Sequence, residues 1–410
     1  MNILTFTTLY PNALMPLNAV FVRRRMEACA RLFGHELTVV APVPYYPRLP
    51  FRTAPAWDTF ARVPLLEAPW GYDIHHPRYL VTPKVGMRYY GRWMAAASLE
   101  LVRRLHEQRR FSVIDAHYVY PDGEAAVALG RALGLPVVLS SRGTDLNLYP
   151  TLAPIRPRII DSLERSSHLI CVCDELRQVA LSLGTPAEKV SVIGNGIDPK
   201  MFFPRDIAQA RRQLGLDEDA TLMLSVGHLT ARKGFHILIE SLSRLFASAS
   251  PGDPPLKLVI VGDGPQRQEL QQLTAALRLG DRVVFAGAVA QEALPPWYAA
   301  ADLFLLASSR EGWPNVLCEA QAMGLPIVAS RAWGIPEIVR HQGLGLLVQE
   351  RAPGPFATAI RQALGQRWDR HAIAAEGALR TWPVVAAEVD AVLRRAAANG
   401  IARHSKSGTP

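Results

Sequence analysis

Two glutamates, Glu311 and Glu319, have the type and spacing to bind a substrate. Glu311 lies in a glycine-containing loop after an apolar stretch that ends near Leu306, and Glu319 lies in a helix predicted to begin around Asn315. A separation of eight residues is a little over two helical turns, so both carboxylates can lie on one face. Backbone N–H groups at a helix N-terminus favour phosphate, whereas carboxylates accept hydrogen bonds from hydroxyls. The pattern predicts a site for a phosphate flanked on both sides by hydroxyl-rich groups, which describes a nucleotide sugar.

The elements that must position these residues alternate between strand and helix patterns along the whole chain. Short apolar stretches such as 3–7 and 36–40 alternate with helical periodicity such as 21–33, and the rhythm restarts after Pro204. This alternation implies parallel sheets with helices on both faces. We therefore expect two doubly wound α/β domains, over residues 1–200 and 201–380, and a final helix at about 381–400.

Composition limits the class of protein. The 410 residues are 49% hydrophobic and 20% charged, which is typical of a globular protein with a sizeable core and excludes a disordered chain, a collagen-like chain and a coiled coil. The chain has no apolar run approaching the roughly 18 residues that span a bilayer. Its first residues carry no early Lys or Arg, so no secretory signal is predicted. We expect a cytoplasmic protein.

The four cysteines are too few for a disulfide scaffold in a chain of this length. Cys171 and Cys173 are two residues apart in an apolar stretch, and we interpret them as small core residues rather than as a metal or redox pair. A second Cys/His pair that could complete a zinc site is not found nearby in the sequence. We expect a metal-independent protein.

Positive charge is concentrated in one stretch of the N-terminal half. The net charge is +9, and residues 84–110 carry seven Lys or Arg, including Lys84, against two glutamates. Tyr89, Tyr90, Trp93 and Met94 lie among them. Basic residues mixed with aromatic ones are typical of a helix at a membrane surface, although an ordinary amphipathic helix has the same pattern.

The segment from Ser308 to Ala329 resembles the signature of family 4 of the retaining glycosyltransferases with the GT-B fold. Three further segments resemble motifs of the same family, in the same order along the chain: Ile193–Asp198, Ser225–Gly234 and Val261–Pro265. The resemblance covers nearly the whole chain. It implies two Rossmann-like domains that face each other across a cleft, with the acceptor in the first domain and the nucleotide sugar in the second. It also implies that the final helix packs back on the first domain.

The resemblance implies roles for individual residues. Glu311 contacts hydroxyls of the donor sugar, Glu319 binds the ribose hydroxyls, and Lys233 neutralises the diphosphate as the leaving group forms. His117 matches a histidine of the N-terminal domain that contacts the donor sugar. The remaining positions implied to line the donor site are Gly312, Asn315, Val316, Gly227, His228, Asn18 and Asp145.

Two positions depart from the family pattern. His228 stands where the family usually has arginine, and histidine is only partly charged at neutral pH. The first βα loop, often Gly-Gly in the family, reads Met15-Pro16-Leu17-Asn18-Ala19. Asn18 is the residue of this loop that best tolerates positive φ.

The N-terminal half resembles the branch of the family that builds bacterial exopolysaccharides and teichuronic-type polymers. The segments that carry this likeness are Leu9–Asn12, Phe21–Arg25, His117–Gly123 and Arg142–Asp145. The resemblance implies a UDP- or GDP-linked sugar as donor and no separate cofactor. It implies a saccharide or lipid-linked saccharide as acceptor, and an enzyme peripherally bound to the inner face of the cytoplasmic membrane, with no nucleic acid as partner.

Three other classes of protein fit the sequence less well. A Rossmann dehydrogenase requires Gly-x-Gly-x-x-Gly after the first strand, and no glycine occurs between Met1 and Phe33. A nucleotide-sugar 2-epimerase with the GT-B fold remains an alternative, although it does not account for the basic aromatic stretch. A non-catalytic scaffold or nucleic-acid binder accounts for the charge but not for the paired glutamates.

Overall fold

The computed structural model describes residues 1–46, 55–82, 86–247 and 254–407. Lys84 of the basic stretch lies outside these residues. The chain divides into two compact units, one formed by Met1–Asn195 with Trp382–Pro410 and the other by Gly196–Thr381. The division falls slightly before the boundary predicted at residue 200. Each unit has its own parallel sheet, so the predicted α/β fold of two Rossmann-like domains is confirmed.

The described residues of the first unit form ten strands. They are β1 Asn2–Phe6, β2 Glu36–Val40, β3 Val43–Tyr45, β4 Leu66–Glu67, β5 Ile74–His75, β6 Arg78–Leu80, β7 Val113–His117, β8 Val137–Ser141, β9 His168–Cys171 and β10 Val190–Val192. The main sheet has the order β10-β9-β8-β7-β1-β2-β5-β4, and β3 pairs with β6 in a small second sheet. Neighbouring strands are parallel except β4, which is antiparallel to β5.

The helices of the first unit follow the strands in the expected alternation. They are α1 Val20–Phe33, α2 Pro55–Arg62, α3 Tyr90–Arg109, α4 Glu124–Leu133, α5 Thr144–Asn147, α6 Arg156–Arg165 and α7 Asp174–Ser182. The short strands β3 to β6 were not predicted, since strands of two or three residues are too short to show a hydrophobic period.

Outside residues 248–253, which the structure does not describe, the second unit has one sheet of six parallel strands. The strands are β11 Thr221–Val226, β12 Leu256–Val261, β13 Val283–Gly287, β14 Leu303–Leu306, β15 Ile327–Ser330 and β16 Gly345–Val348. Their order is β13-β12-β11-β14-β15-β16. Apolar runs such as Leu258–Val261 are buried because helices cover both faces of a parallel sheet.

Eight helices complete the part of the second unit that the structure describes. They are α8 Ile207–Leu214, α9 Phe235–Ala247, α10 Arg267–Ala276, α11 Pro295–Ala300, α12 Asn315–Ala322, α13 Ile335–Ile338, α14 Pro353–Leu364 and α15 Arg370–Gly377. Pro353 is the first residue of α14. Proline is accepted there because the first N–H of a helix has no partner within the helix.

The last helix, α16 Trp382–Ser407, returns to the first unit and packs against α1. Its apolar face, which includes Val385, Val389 and Leu393, joins the core beneath β1 and β2. Trp382 is the residue at which the chain enters this core. The helix therefore stabilises a unit whose other elements lie far away in the sequence.

Candidate functional site

The predicted donor residues meet at the carboxyl edge of the second sheet. Strands β11 and β14 are neighbours, and strand order reverses between them: β12 and β13 continue on one side, and β15 and β16 on the other. Open α/β sheets bind ligands outside the carboxyl ends of the strands at such a point. The loop after β11 carries Lys233, and the loop after β14 carries Glu311.

Lys233 and Glu311 form an ion pair across this edge. Lys233 Nζ donates to Glu311 Oε1 at 2.6 Å, and Arg232 Nη1 lies 3.2 Å from Glu311 Oε2. The Glu311 and Lys233 side chains are only 9% and 13% exposed, whereas that of Arg232 is 42% exposed. One carboxylate therefore holds two cations at the point where the two loops meet.

The ionisation of Glu311 is set by these neighbours. Burial alone raises the pKa of its carboxyl, but Lys233, Arg232 and the hydrogen bond from Lys233 outweigh burial and hold that pKa below its usual value. Glu311 is therefore an anion at neutral pH and accepts hydrogen bonds. The Lys233 ammonium has three N–H groups, so it can bind an anionic ligand while it keeps its bond to Glu311.

Glycines allow the loops of this site to approach one another. A Cβ at Gly234, where φ is 73°, would lie 2.1 Å from the carbonyl oxygen of Ala307. A Cβ at Gly262, where φ is 143°, would lie 1.9 Å from the carbonyl oxygen of Gly227. Both gaps are far shorter than any real contact, so only glycine permits this backbone packing.

Helix α12 carries the second predicted glutamate. Glu319 is 4% exposed, and its two oxygens accept hydrogen bonds from Tyr298 Oη at 2.6 Å and Gln291 Nε2 at 3.0 Å. These bonds orient the Glu319 carboxylate. The sequence did not indicate Tyr298 or Gln291, because their roles depend on the packing of α11 against the sheet.

The other donor positions predicted within the second unit lie on the same edge. Gly312 belongs to the loop after β14, and Asn315 and Val316 open α12, whose N-terminus has no side-chain cap. The aliphatic part of Lys233 lies against Gly227. His228 is exposed and its Nδ1 lies 2.7 Å from the carbonyl oxygen of Asp263. Because a carbonyl only accepts, Nδ1 carries the proton and Nε2 points away from this bond.

His117, in the first unit, lies at the centre of a buried polar network. Its Nε2 is 3.0 Å from Asp115 Oδ2, and its Nδ1 is 2.6 Å from Arg142 Nη2. Arg25 Nη2 donates to Ser140 Oγ at 2.9 Å and lies 3.3 Å from Asp115 Oδ1. The sequence could have indicated Asp115, since it lies two residues before His117 on β7 and residues two apart on a strand face the same side. Arg25 and Arg142 were noted only as parts of motifs.

The bonds of His117 determine its tautomer. An arginine N–H can only donate, so Nδ1 is the acceptor and Nε2 carries the proton. Burial, together with Arg142 and Arg25, lowers the pKa of His117 to about 3 against the opposing effect of Asp115. His117 is therefore neutral at physiological pH, and with both ring nitrogens already engaged it acts as the hub of the network.

Asp145 connects two loops of the first unit. Its carboxylate is fully buried and accepts from the backbone N–H groups of Val119 at 2.9 Å, Arg142 at 3.1 Å and Gly143 at 2.8 Å. It therefore ties the loop after β7 to the loop after β8. Contact of Asp145 with the donor stays a prediction.

Asp122, which the sequence analysis did not select, links the first βα loop to the loop after β7. Its Oδ1 accepts from the backbone N–H of Thr8, and burial raises the pKa of its carboxyl to about 7. The positive φ expected at Asn18 in the first loop occurs instead at Ala19, where φ is 47°. Asn18 itself donates to the carbonyl oxygen of Tyr10 at 3.4 Å.

One group of side chains among the described residues has the composition of a metal site. Cys29, His35 and Asp390 bring ligand atoms within 4.8 Å of one another where α16 meets the rest of the first unit. His35 Nε2 already donates to Asp390 Oδ1 at 2.6 Å, and Arg394 Nε donates to Oδ2 at 2.7 Å. These bonds explain the cluster as an attachment of α16 without a metal.

Comparison with known proteins assigns the chain to a family. Residues 206–380 match Glycosyl transferases group 1, and residues 19–201 match Glycosyltransferase Family 4. The chain is 32% identical over 300 residues to the D-inositol 3-phosphate glycosyltransferase of Frankia alni, which covers 69% of this chain and 73% of that one. It is 28% identical over 368 residues to the putative teichuronic acid biosynthesis glycosyltransferase TuaC of Bacillus subtilis, covering 88% of each.

The chain spans a smaller part, 60% to 64%, of the length of several other relatives. Among solved structures, Anabaena HepE in complex with UDP superposes with a TM-score of 0.70 at 20% identity, over 96% of this chain and all of that one. The fold and the site therefore define a GT-B glycosyltransferase. The chain belongs to glycosyltransferase family 4.

Proposed function

We propose that this glycosyltransferase transfers a sugar, with retention of configuration, from a UDP- or GDP-linked donor to a saccharide or lipid-linked saccharide in bacterial cell-surface polysaccharide synthesis. The ion pair of Lys233 and Glu311 at the carboxyl edge of β11 and β14 carries this proposal. A nucleotide-sugar donor needs a cation beside its diphosphate and, close to that cation, an anion that accepts from the sugar hydroxyls. Lys233 and Glu311 supply both groups.

Each part of the donor has a matching group in the second unit. The diphosphate is neutralised by Lys233 and Arg232 and receives backbone N–H groups from the start of α12. Glu311 accepts from hydroxyls of the transferred sugar. Glu319, oriented by Tyr298 and Gln291, accepts from the ribose hydroxyls. The HepE complex makes UDP the first nucleotide to test.

In the proposed reaction the bond between the anomeric carbon and the diphosphate oxygen breaks as the acceptor oxygen bonds to the same face of that carbon. The acceptor proton passes to the departing phosphate oxygen. Charge grows on the diphosphate during this step, and Lys233, Arg232 and the α12 N-terminus stabilise it where it develops.

The relative TuaC supports a polysaccharide acceptor, since its name places it in teichuronic acid biosynthesis. The residues around the start of α3 support an association of the enzyme with the inner membrane surface. Arg88 and Arg92 are exposed, and Tyr89 stacks on Trp93 with ring centroids 5.6 Å apart. Among the described residues, no helix is both long and apolar enough to cross a bilayer. We propose peripheral association on the cytoplasmic side.

Calorimetric titration of UDP, GDP and ADP into the purified chain without added metal tests the donor site. We expect selective binding of one nucleotide, and about 10- to 100-fold weaker binding after Lys233→Ala, since a charge-assisted bond contributes about 1.5–3 kcal/mol. Lys233→Ala and Glu311→Ala should each abolish transfer. If Glu311→Ala destabilises the loops, Glu311→Gln is the second variant, because it removes the charge and keeps the side-chain shape.

Lys257→Ala is the matched control, because Lys257 lies at the opposite end of β12 and pairs with Asp217. It should bind the nucleotide like the unmodified chain. Binding of none of the three nucleotides, or full transfer by Lys233→Ala, contradicts the assignment. Release of nucleotide from the donor without any acceptor favours a 2-epimerase instead.

A further inference from the structure

A cavity of the first unit lies between the start of α3 and helices α4 and α6. It has a volume of about 670 Å³, within the usual range for small-molecule sites. None of the residues predicted for the donor site lines it, and none belongs to the buried network around His117. The proposed function therefore gives this cavity no ligand.

Arginine is the main polar residue of the lining. Arg165 Nε donates to Asp161 Oδ1 at 2.6 Å, so these two side chains largely neutralise each other. Glu124 is the one other acidic residue among the described residues of the lining. Its carboxylate faces four further guanidiniums, those of Arg88, Arg92, Arg131 and Arg158. The cavity therefore has an excess of positive charge, which favours an anionic ligand.

Glu124 pairs only loosely with its two nearest arginines. Glu124 Oε1 lies 3.9 Å from Arg92 Nε and 3.7 Å from Arg158 Nη1. Both separations exceed the length of a hydrogen bond. The other oxygen, Oε2, is buried against Gly91 and has no hydrogen-bond partner within the part of the chain that the structure describes. The two guanidiniums therefore keep N–H groups that a ligand can use.

The other two arginines are engaged still less. Arg131 forms no hydrogen bond or ion pair with any described residue, and the guanidinium of Arg88 lies 4.7 Å from the ring centroid of Tyr89. A guanidinium presents two parallel N–H groups, which match two oxygens of one phosphate. Several guanidiniums around one cavity suit a phosphomonoester, which has three terminal oxygens and more than one negative charge.

The rest of the lining favours a soluble ligand over the headgroup of a lipid. It is formed by small apolar residues: Val127, Ala128, Ala153, Pro154 and Pro157. A surface that enters a bilayer carries large exposed apolar side chains. None of those found among the described residues lines this cavity.

We infer that this cavity is a second ligand site, which binds a soluble small molecule through a phosphomonoester. The guanidiniums of Arg92, Arg131 and Arg158 hold the phosphate. Glu124 is the first residue of α4 and directly follows the segment Val119–Gly123, which comes after β7. The ligand therefore binds beside a loop at the carboxyl edge of the first sheet. The inference goes beyond the proposed function and does not depend on it.

Calorimetric titration of inorganic phosphate into the full-length chain, at constant ionic strength, tests the inference. Acetate serves as the singly charged control, and we expect phosphate to bind at least tenfold more tightly. Arg158→Gln should weaken phosphate binding about 10- to 100-fold, because it removes a charge-assisted bond. Glu124→Gln should instead tighten binding about fivefold, because it removes a negative charge about 4 Å from the arginines.

Arg177→Gln is the matched control. The side chain of Arg177 is 31% exposed and pairs with Asp174, much as that of Arg158 is 29% exposed and pairs with Glu124, but it does not line the cavity. It should bind phosphate like the unmodified chain. If Arg158→Gln fails to fold, the exposed Arg131→Gln takes its place. Arg88 and Arg92 are left unchanged because they also belong to the proposed membrane surface.

Two further measurements decide where the phosphate binds and from which source it comes. Lys233→Ala should keep phosphate binding, since Lys233 and Arg158 lie in different units. Loss in Lys233→Ala with retention in Arg158→Gln would place the phosphate in the donor site and overturn the inference. Sedimentation with vesicles of phosphatidic acid tests the lipid source. Sedimentation that depends on Arg158, without binding of inorganic phosphate, would overturn the soluble ligand.

Three other results would also overturn the inference. They are equal binding of acetate and phosphate, equal effects of Arg158→Gln and Arg177→Gln, and a loss in Glu124→Gln as large as that in Arg158→Gln. The last would show that both substitutions act by disturbing the fold rather than by changing charge. Calorimetry with UDP on the same proteins reports on the donor site separately, so failure of one site is distinguishable from failure of the other.

Discussion

Individual ionisable side chains in this protein owe their charge state to a few neighbours. Glu311 remains ionised although it is buried, since two cations contact its carboxylate. His117 remains neutral although Asp115 is only 3.0 Å away, since burial and the positive charge of Arg142 both disfavour a protonated imidazole. Each group therefore has one stable form near neutral pH, and the geometry around it does not change with small changes in proton concentration.

The neutral state of His117 predicts a dependence of stability on pH. Its pKa is about 3 in the folded chain and about 6.5 when unfolded. Between these values the unfolded chain binds a proton that the folded chain does not, so the free energy of unfolding falls as pH falls from about 6.5 towards 3. At pH 5 the loss due to this residue is about 2 kcal/mol.

Urea unfolding of the unmodified chain and of His117→Gln at pH 7 and pH 5 measures this effect. The variant has its own free energy of unfolding at pH 7. From pH 7 to pH 5, that free energy should fall by about 2 kcal/mol less in the variant than in the unmodified chain. Identical losses in the two proteins would show that His117 is protonated in the folded state. His341→Gln is the control, because His341 is exposed and pairs with Glu376 at the surface.

Among the loops and helices, close backbone contacts explain the glycine motifs. The loop after β11 touches the loop after β14 through Gly234, and touches the turn after β12 through Gly262 and Gly227. These close contacts position the loop that carries Lys233. Contact of Gly227 with the donor stays a prediction.

Gly234→Ala tests this positioning role. A Cβ would meet the carbonyl oxygen of Ala307 at 2.1 Å, so the loops must separate. We expect a cost of more than about 2 kcal/mol in the free energy of unfolding, the sum of a left-handed alanine and a core clash. We also expect binding of the nucleotide to weaken about tenfold or more, since Lys233 moves with the loop.

Gly215→Ala is the control for backbone strain alone. Gly215 has a φ of 64°, close to the 73° of Gly234, but no atom lies within 4 Å of the position that an added methyl group would occupy. It should cost about 1–2 kcal/mol and leave nucleotide binding unchanged. Equal effects of the two substitutions on binding would show that the contact with Ala307 does not position Lys233.

The charge of the protein as a whole favours an anionic partner. The net charge is +9, and the residues around the start of α3 combine exposed arginines with a stacked aromatic pair. Anionic lipid attracts such a surface by about 1 kcal/mol for each Lys or Arg near it. Salt screens that attraction, because the screening length is about 10 Å at 0.1 M.

Sedimentation with vesicles of phosphatidylglycerol and phosphatidylcholine measures this association. We expect binding that rises with the anionic fraction and falls with salt. The double substitution Arg88→Ser with Arg92→Ser should weaken binding about 10- to 30-fold, from about 2 kcal/mol for two charges. The same change at Arg361 and Arg367, two exposed arginines of the second unit, should have little effect.

Binding that is unaffected by salt or by the anionic fraction would contradict an electrostatic attachment. Equal losses in the two double variants would show that only the overall charge matters. Either result would remove α3 as the membrane-contacting surface while leaving the donor site untouched.

The sequence by itself determined the fold class and much of the donor site. Alternating strands and helices encode parallel sheets locally, and the confirmed family follows from motifs whose residues are close in the chain. Glu311, Asn315 and Glu319 lie on one loop and the helix that follows it, so their proximity does not depend on how distant elements pack. Their roles in binding remain predictions.

Only the tertiary structure decided which distant groups meet. Lys233 and Glu311 are 78 residues apart, and Arg25 and Asp115 are 90 apart; strand order brings each pair together. The attachment of α16 to α1 and the backbone bonds of Asp145 also arise from packing. The physical reason is that hydrophobic periodicity specifies which face of an element is buried, but the partner of that face depends on sheet order and on close packing of the whole core.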